Sequence, residues 1–179
     1  ISGSGDPFAS HHYRELLKRV TREEFPELSV HLHTNAQLFD ERAWNELALE
    51  DKIGHVEISI DAATAETYHV VRRGGHFDRL PKNLEFIRQL RQREAFPQLV
   101  FSFVVQQLNY REMPAFVRMA DEYAADFVDF RMILNWGTWS REDFNRQFIG
   151  DPGHPEHPDY LTVLASPELH RPNVRLPAL

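Results

Sequence analysis

The strongest constraint on this chain is an alternation of two hydrophobic periods. Tyr13, Leu16, Leu17 and Val20 fall at i, i+3, i+4 and i+7, the stripe of an amphipathic helix, with Pro26 past its expected end. Residues 29–34 read as a strand. Asp40 is an N-cap candidate for a helix carrying Ala43, Trp44 and Leu47. Residues 55–60 read as a second strand. Leu80, Leu84, Ile87 and Leu90 form another helical stripe, with Pro97 beyond it. Leu99–Val105 is apolar, β-branched and aromatic, as a covered strand should be. Asn109 and Glu112 resemble a capping box ahead of Met113, Phe116, Val117 and Ala120. Residues 127–134 read as the last strand. Strands separated by helices build βαβ units on a parallel sheet. The spacing therefore predicts an α/β chain, a partial (β/α) TIM-like barrel with parallel strands, over residues 1–134.

After Leu134 the rhythm stops. Residues 135–179 hold Trp136, Trp139 and six prolines, with a short helix candidate near 160–164. They predict an irregular C-terminal extension packed on the barrel, because its aromatic rings need somewhere to bury. The chain's 179 residues contain no cysteine, which excludes a disulfide scaffold. No apolar run approaches the roughly 20 residues a transmembrane helix needs. The formal charge of −7 speaks against a general nucleic-acid partner. No signal-peptide pattern is visible, so a cytoplasmic location is expected. The chain opens on Ile1-Ser2-Gly3 rather than on Met, which predicts a piece of a longer protein. A barrel without its first strands exposes an edge. The expectation is self-association through that edge, or its coverage by residues 135–179. A monodisperse monomer with a solvent-exposed first strand in sedimentation analysis counts against it.

Strands covered on both faces should be apolar throughout, yet here one face is polar. Ser29, His31, His33 and Asn35 alternate with Val30 and Leu32. His55, Glu57, Ser59 and Asp61 alternate with Val56, Ile58 and Ile60. Asp129 and Arg131 alternate with Val128, Phe130 and Met132. Side chains alternate faces along a strand, so the polar set would line the barrel lumen. A buried polar group without a partner costs about 1–3 kcal/mol, which points to a ligand or a hydrated network. Ligands of such barrels sit at the carboxyl ends of the strands, placing Asn35, Ser59, Asp61 and Gln106 around one site.

Several segments, in order, resemble the radical S-adenosylmethionine superfamily. Ser4-Gly5-Asp6-Pro7 is similar to its Gly-Gly-Glu-Pro segment, and His33-Thr34-Asn35-Ala36 to its Thr-Asn-Gly strand end. Ile58-Ser59-Ile60-Asp61-Ala62-Ala63-Thr64-Ala65-Glu66-Thr67-Tyr68, followed by Arg72-Arg73-Gly74-Gly75-His76-Phe77, is the most specific match. Residues 106–112 resemble the end of the family's fifth strand and residues 129–134 that of its sixth. Gly153-His154-Pro155-Glu156-His157-Pro158 lies in a tail resembling a cut-down auxiliary extension.

The resemblance implies S-adenosylmethionine as cofactor, with Gly5, Asp6, Asn35, Ser59, Asp61, Arg72 and Gln106 as its contacts. It assigns Asp6 to the ligand's amino group, Ser59 and Asp61 to its carboxylate or ribose, and Arg72 to its carboxylate. The backbone near 132–134 would meet the adenine. Two departures stand out: Asp6 replaces a glutamate and Ala36 a glycine. A third is larger. The family's 4Fe-4S cluster sits on three cysteines, and this chain has none. The resemblance therefore implies a parent enzyme that reductively cleaves S-adenosylmethionine for radical chemistry on an unknown substrate, with this fragment inactive alone and no cluster expected in it. His31 and His33 offer a rival, a metal-dependent hydrolase, although later strand ends supply no further histidine and no metal site is expected. A non-catalytic binding module derived from the barrel is the other alternative.

Overall fold

The computed structural model describes residues 5–177. Five parallel strands form an open α/β sheet in the order β1-β2-β3-β4-β5. They are β1 (Val30–Thr34), β2 (Ile53–Ser59), β3 (Leu99–Val105), β4 (Phe127–Met132) and β5 (Val174–Arg175). The helices are α1 (His11–Arg19), α2 (Glu41–Glu46), α3 (Ala65–Val71), α4 (Leu80–Gln92), α5 (Met113–Glu122), α6 (Arg141–Gln147) and α7 (His157–Leu164). The four strands expected from the alternation are present, each within two residues of its expected ends. No sequence signal announced the two-residue β5, which pairs parallel with β4 through Val128↔Val174.

The chain divides into two compact units. The first holds the chain up to Ser59 together with His76–Phe101 and Tyr123–Asp126. Its interior contains Leu17, Leu32, Leu47, Val56, Ile58, Ile87 and Phe101. An aromatic run threads it: Phe8 to Phe39 at 4.7 Å, Phe39 stacked on Trp44 at 5.9 Å, Trp44 to Phe96 at 6.5 Å. Asp40 caps α2 as expected, its Oδ1 accepting from Ala43 N at 2.8 Å. The buried Lys52 donates from Nζ to Leu17 O (2.6 Å) and Val20 O (3.0 Å), satisfying carbonyls at the end of α1. Its desolvation lowers the ammonium pKa. Arg91 grips Asp126 with two bonds of 3.0 and 2.8 Å. Strands β1 and β2 shift register between Val30 and His31, and Gly54 sits at that shift. A Cβ there would come within 1.8 Å of Ser29 Oγ, so a larger residue would force the Ser29 side chain to move.

The second unit holds Ile60–Gly75, Ser102–Glu122 and the chain from Phe127 onward. Phe103 packs edge-on against Phe116 (4.9 Å) and Phe130 (5.3 Å). The extension contributes Ile149, Tyr160 and Leu169 to this interior, all at most 1 % exposed. The residues beyond Pro177 lie outside the described ones. One expectation fails: Trp136 is 83 % exposed rather than buried. Asn135 Oδ1 accepts from Gly137 N at 2.9 Å and its Nδ2 donates to Trp139 O at 3.1 Å, so this loop closes on itself and turns the ring outward.

The alternation of faces is present on β1, β2 and β4. In β1, Val30, Leu32 and Thr34 are buried while His31 is exposed and His33 half-buried. In β2, Val56 and Ile58 are buried while His55, Glu57 and Ser59 are half-buried. Strand β3 is covered nearly throughout.

Candidate functional site

In the first unit, Gly5 opens a turn at φ +120°, a conformation glycine adopts without strain. Gly3 and Ser4 of this segment lie outside the described residues. Asp6 Oδ1 accepts from Phe8 N (2.9 Å), and Oδ2 accepts from Thr34 Oγ1 (2.6 Å) and Asn35 N (2.8 Å). The carboxylate thus ties the turn before α1 to the end of β1. Aspartate is long enough for these short-range bonds. Asn35 Oδ1 accepts from Gln37 N at 3.0 Å and holds its own turn. Ala36, where the family pattern has glycine, sits at φ +59°. Its N–H donates to Thr34 Oγ1 (3.1 Å), and Asn83 Nδ2 donates to its carbonyl (2.7 Å), so neighbours hold the left-handed backbone that alanine disfavours. Gly5, Asp6 and Asn35 therefore come together; Ser59 ends β2, half-buried.

The histidines lie in the same unit. The His31 and His55 rings are 5.3 Å apart, His55 Nδ1 donates to Gln98 Oε1 (2.7 Å), and His33 Nε2 lies 3.6 Å from Glu57 Oε1. Among the described residues, no group of three or more His, Cys, Asp or Glu is placed to hold a metal ion.

In the second unit, Asp61 is 6 % exposed and sits at φ +65°. Its Oδ1 accepts from Val104 N (2.8 Å) and its Oδ2 pairs with Arg72 Nη2 (2.7 Å). Asn109 Nδ2 donates to the carbonyls of Asp61 and Val104, both at 2.9 Å, and its Oδ1 accepts from Gln106 N at 2.9 Å. So Asp61, Arg72 and the backbone of Gln106 belong to one bonded cluster.

Arg72 follows α3 directly, and the glycines after it have a physical reason. Gly75 N donates to Arg72 O (2.9 Å), Gly74 sits at φ +77°, and a Cβ on Gly75 would lie 2.7 Å from the Tyr68 ring. The chain must double back tightly there, which fixes the base of the Arg72 side chain.

The expected capping box does not form. Tyr110–Glu112 is a 3₁₀ turn, and Asn109 makes no side-chain cap bond. Glu112 instead caps α3: Oε2 accepts from Ala63 N (2.6 Å) and Thr64 N (3.2 Å), and Oε1 from Thr64 Oγ1 and Thr67 Oγ1, both 2.6 Å. The available signal was the pair of threonines in residues 63–67, whose partner is 45 residues away.

The extension adds a further anchor. The Glu156 carboxylate accepts from Gln107 Nε2 (2.6 Å), Arg111 Nη1 (2.6 Å) and Tyr110 Oη (3.0 Å). Gln107 and then Arg111 hold its pKa down at about 2. Burial, then the bond to Glu156, pushes Tyr110 up to about 12. Glu156's folded-state pKa is depressed, so its stabilisation is present above the ordinary value of 4.5 and fades as pH falls toward 2. A cavity of about 590 Å³ lies beside it, lined by Gln107, Arg146, Gln147, Asp151, His154 and Glu156 among others.

The five parallel strands of this open α/β sheet place the chain in the barrel-derived class of α/β folds. The family model described as the Radical SAM superfamily matches residues 1–120. The chain belongs to the radical S-adenosylmethionine superfamily. Among curated proteins no sequence matches. The chain is similar in fold to a structure of TYW1 with a lysine-pyruvate adduct bound, at 18 % identity and a TM-score of 0.56, covering 91 % of this chain and 47 % of that one. It is similar to Streptococcus suis SuiB at 16 % identity and a TM-score of 0.60, covering 98 % and 38 %. A structure of SuiB bound to S-adenosylmethionine matches at 17 % identity and a TM-score of 0.58, covering 97 % and 36 %. The chain spans less than half the length of these neighbours. The 4Fe-4S cluster implied by the family requires thiolate ligands. With no cysteine, the residues of this chain do not fit it.

Proposed function

We propose that this chain is part of a radical S-adenosylmethionine enzyme and binds S-adenosylmethionine through polar residues at its strand ends. The observation that carries this reading is the ion pair between Asp61, just past β2, and Arg72, at the end of α3, 2.7 Å apart, in a chain of this superfamily. The ligand offers a carboxylate, an ammonium and ribose hydroxyls. A guanidinium has five N–H donors in a fixed fork, so an arginine oriented by one carboxylate can still meet another. Arg72 is the residue for the ligand's carboxylate, with Asp61 orienting it, and Gln106 supplies an amide. Reductive cleavage of the cofactor belongs to a longer cytoplasmic parent whose other residues hold the cluster; these 179 residues alone do not perform it.

Isothermal titration with S-adenosylmethionine tests the reading. Saturable binding is expected with Kd on the order of 100 μM to 1 mM, displaced by S-adenosylhomocysteine. Arg72→Lys, which keeps the charge but loses the planar fork, should weaken it at least about fivefold. No saturable heat at millimolar ligand would overturn the assignment. Elemental analysis separates the hydrolase alternative: a stoichiometric zinc or manganese ion lost on His31→Ala would favour it instead.

A further inference from the structure

The extension motif around Glu156 is unused by the proposed ligand contacts, yet its bonds lead toward them. Glu156 receives three donors from Gln107, Tyr110 and Arg111, all in the loop between β3 and α5. Asn109 stands inside that same loop and bonds to Gln106 N, Asp61 O and Val104 O. Val104 N in turn donates to Asp61 Oδ1. The loop is thus gripped on one side by an extension carboxylate and tied on the other to Asp61 and Gln106.

We propose that Glu156 is a positioning residue for Asp61 and Gln106, so that the C-terminal extension is a working part of the ligand site rather than a cover for the sheet. The ligand half of this statement rests on the reading above; the positioning half rests on geometry alone. Three donors converging on one carboxylate fix the loop in a way no single bond could. Each is a bond to a charged acceptor, and such bonds are about twice as strong as neutral ones. Prolines 152, 155 and 158 stiffen the chain around Glu156, limiting how far it can follow a displaced loop. The neighbouring His154 reinforces it. Its Nδ1 accepts from Glu156 N (3.1 Å) and its Nε2 donates to Arg146 O (3.1 Å). The carboxylate stays ionised through mild acid, so the grip persists across ordinary working pH.

The test is amide hydrogen exchange on the full chain carrying Glu156→Gln, read beside titration with S-adenosylmethionine. Replacing the carboxylate sets an NH₂ group against donors. Exchange at the Val104 and Gln106 amides should accelerate about tenfold or more, with affinity for S-adenosylmethionine reduced by about as much. The control is Glu168→Gln, which breaks the ion pair with Arg118 elsewhere on the same extension and should leave both readouts unchanged. Gln107→Leu, removing one donor while keeping Glu156, should give the same pattern at smaller size and serves if Glu156→Gln does not fold. Unchanged exchange at Val104 and Gln106 overturns the proposal. So does an equal acceleration by Glu168→Gln, which marks a general loosening. An unaltered chain that binds no S-adenosylmethionine overturns the ligand reading, while the exchange pattern still judges the positioning role.

Discussion

Asp61→Ala is expected to cost about 3 kcal/mol of folding stability and to abolish binding of S-adenosylmethionine. Asp61 is 6 % exposed, and its two oxygens serve two different partners. Truncation removes the Asp61 carboxylate from the Arg72 guanidinium, whose side chain is 27 % exposed. It also leaves Val104 N–H without its acceptor. Breaking one side of a largely buried pair costs more than the pair contributes net, because the remaining charge stays partly desolvated. Alanine also tolerates the φ of +65° less well than asparagine does.

Asp61→Asn separates these effects. It keeps the shape, an acceptor for Val104 N and a side chain at ease in left-handed backbone, and removes only the charge. A loss of about 1–2 kcal/mol is expected in urea denaturation, well short of the alanine value. A double-mutant cycle of Asp61→Asn with Arg72→Gln should give a coupling of at least about 1 kcal/mol. Alanine and asparagine variants both within about 0.5 kcal/mol of the unaltered chain would show that the pair carries no stability.

Much of the fold was legible because it rests on short-range pattern. Leu80, Leu84, Ile87 and Leu90 announce α4, and all four are buried in it. Asp40 announces the start of α2. The polar alternation of β1 and β2 is visible in bare sequence because one face of each strand is less covered than the other. What stayed hidden is long-range. The two-residue β5 has no periodicity to read; it exists because Asn173 O accepts from Val128 N and β4 offers an edge. Trp136 was expected inside on the general tendency of aromatic rings, but the local closure by Asn135 decides its direction.

The site divides along the same line. Asp61 and Arg72 stood out as residues, but nothing in their 11-residue spacing states that they bond to each other. That bond needs the tight return at Gly74 and Gly75, whose necessity appears only with the Tyr68 ring in place. Asp6 stood out as a shortened glutamate. The structure gives a reason for the shorter side chain: its three donors are all close, at 2.6 to 2.9 Å.

Glu112→Ala is expected to cost about 3 kcal/mol and to disorder the start of α3. The carboxylate accepts four bonds, two from backbone N–H groups at the helix start and two from threonine hydroxyls. Thr64 already caps Thr67 N at a longer 3.3 Å, so its hydroxyl alone is a weak substitute. The helix has only seven residues and could not persist by propensity. Its anchors are the carboxylate at its start and the buried Tyr68 ring at its middle. Loosening the first turn should therefore spread to Arg72, the residue that ends the helix. Glu112→Gln keeps one acceptor oxygen and should lose about half as much. The measurement is urea denaturation combined with exchange at Ala63 N and Thr64 N, the two amides the carboxylate holds. If both amides keep their protection in Glu112→Ala, α3 stands without the carboxylate, and the link from the β3–α5 loop to the Arg72 helix does not exist.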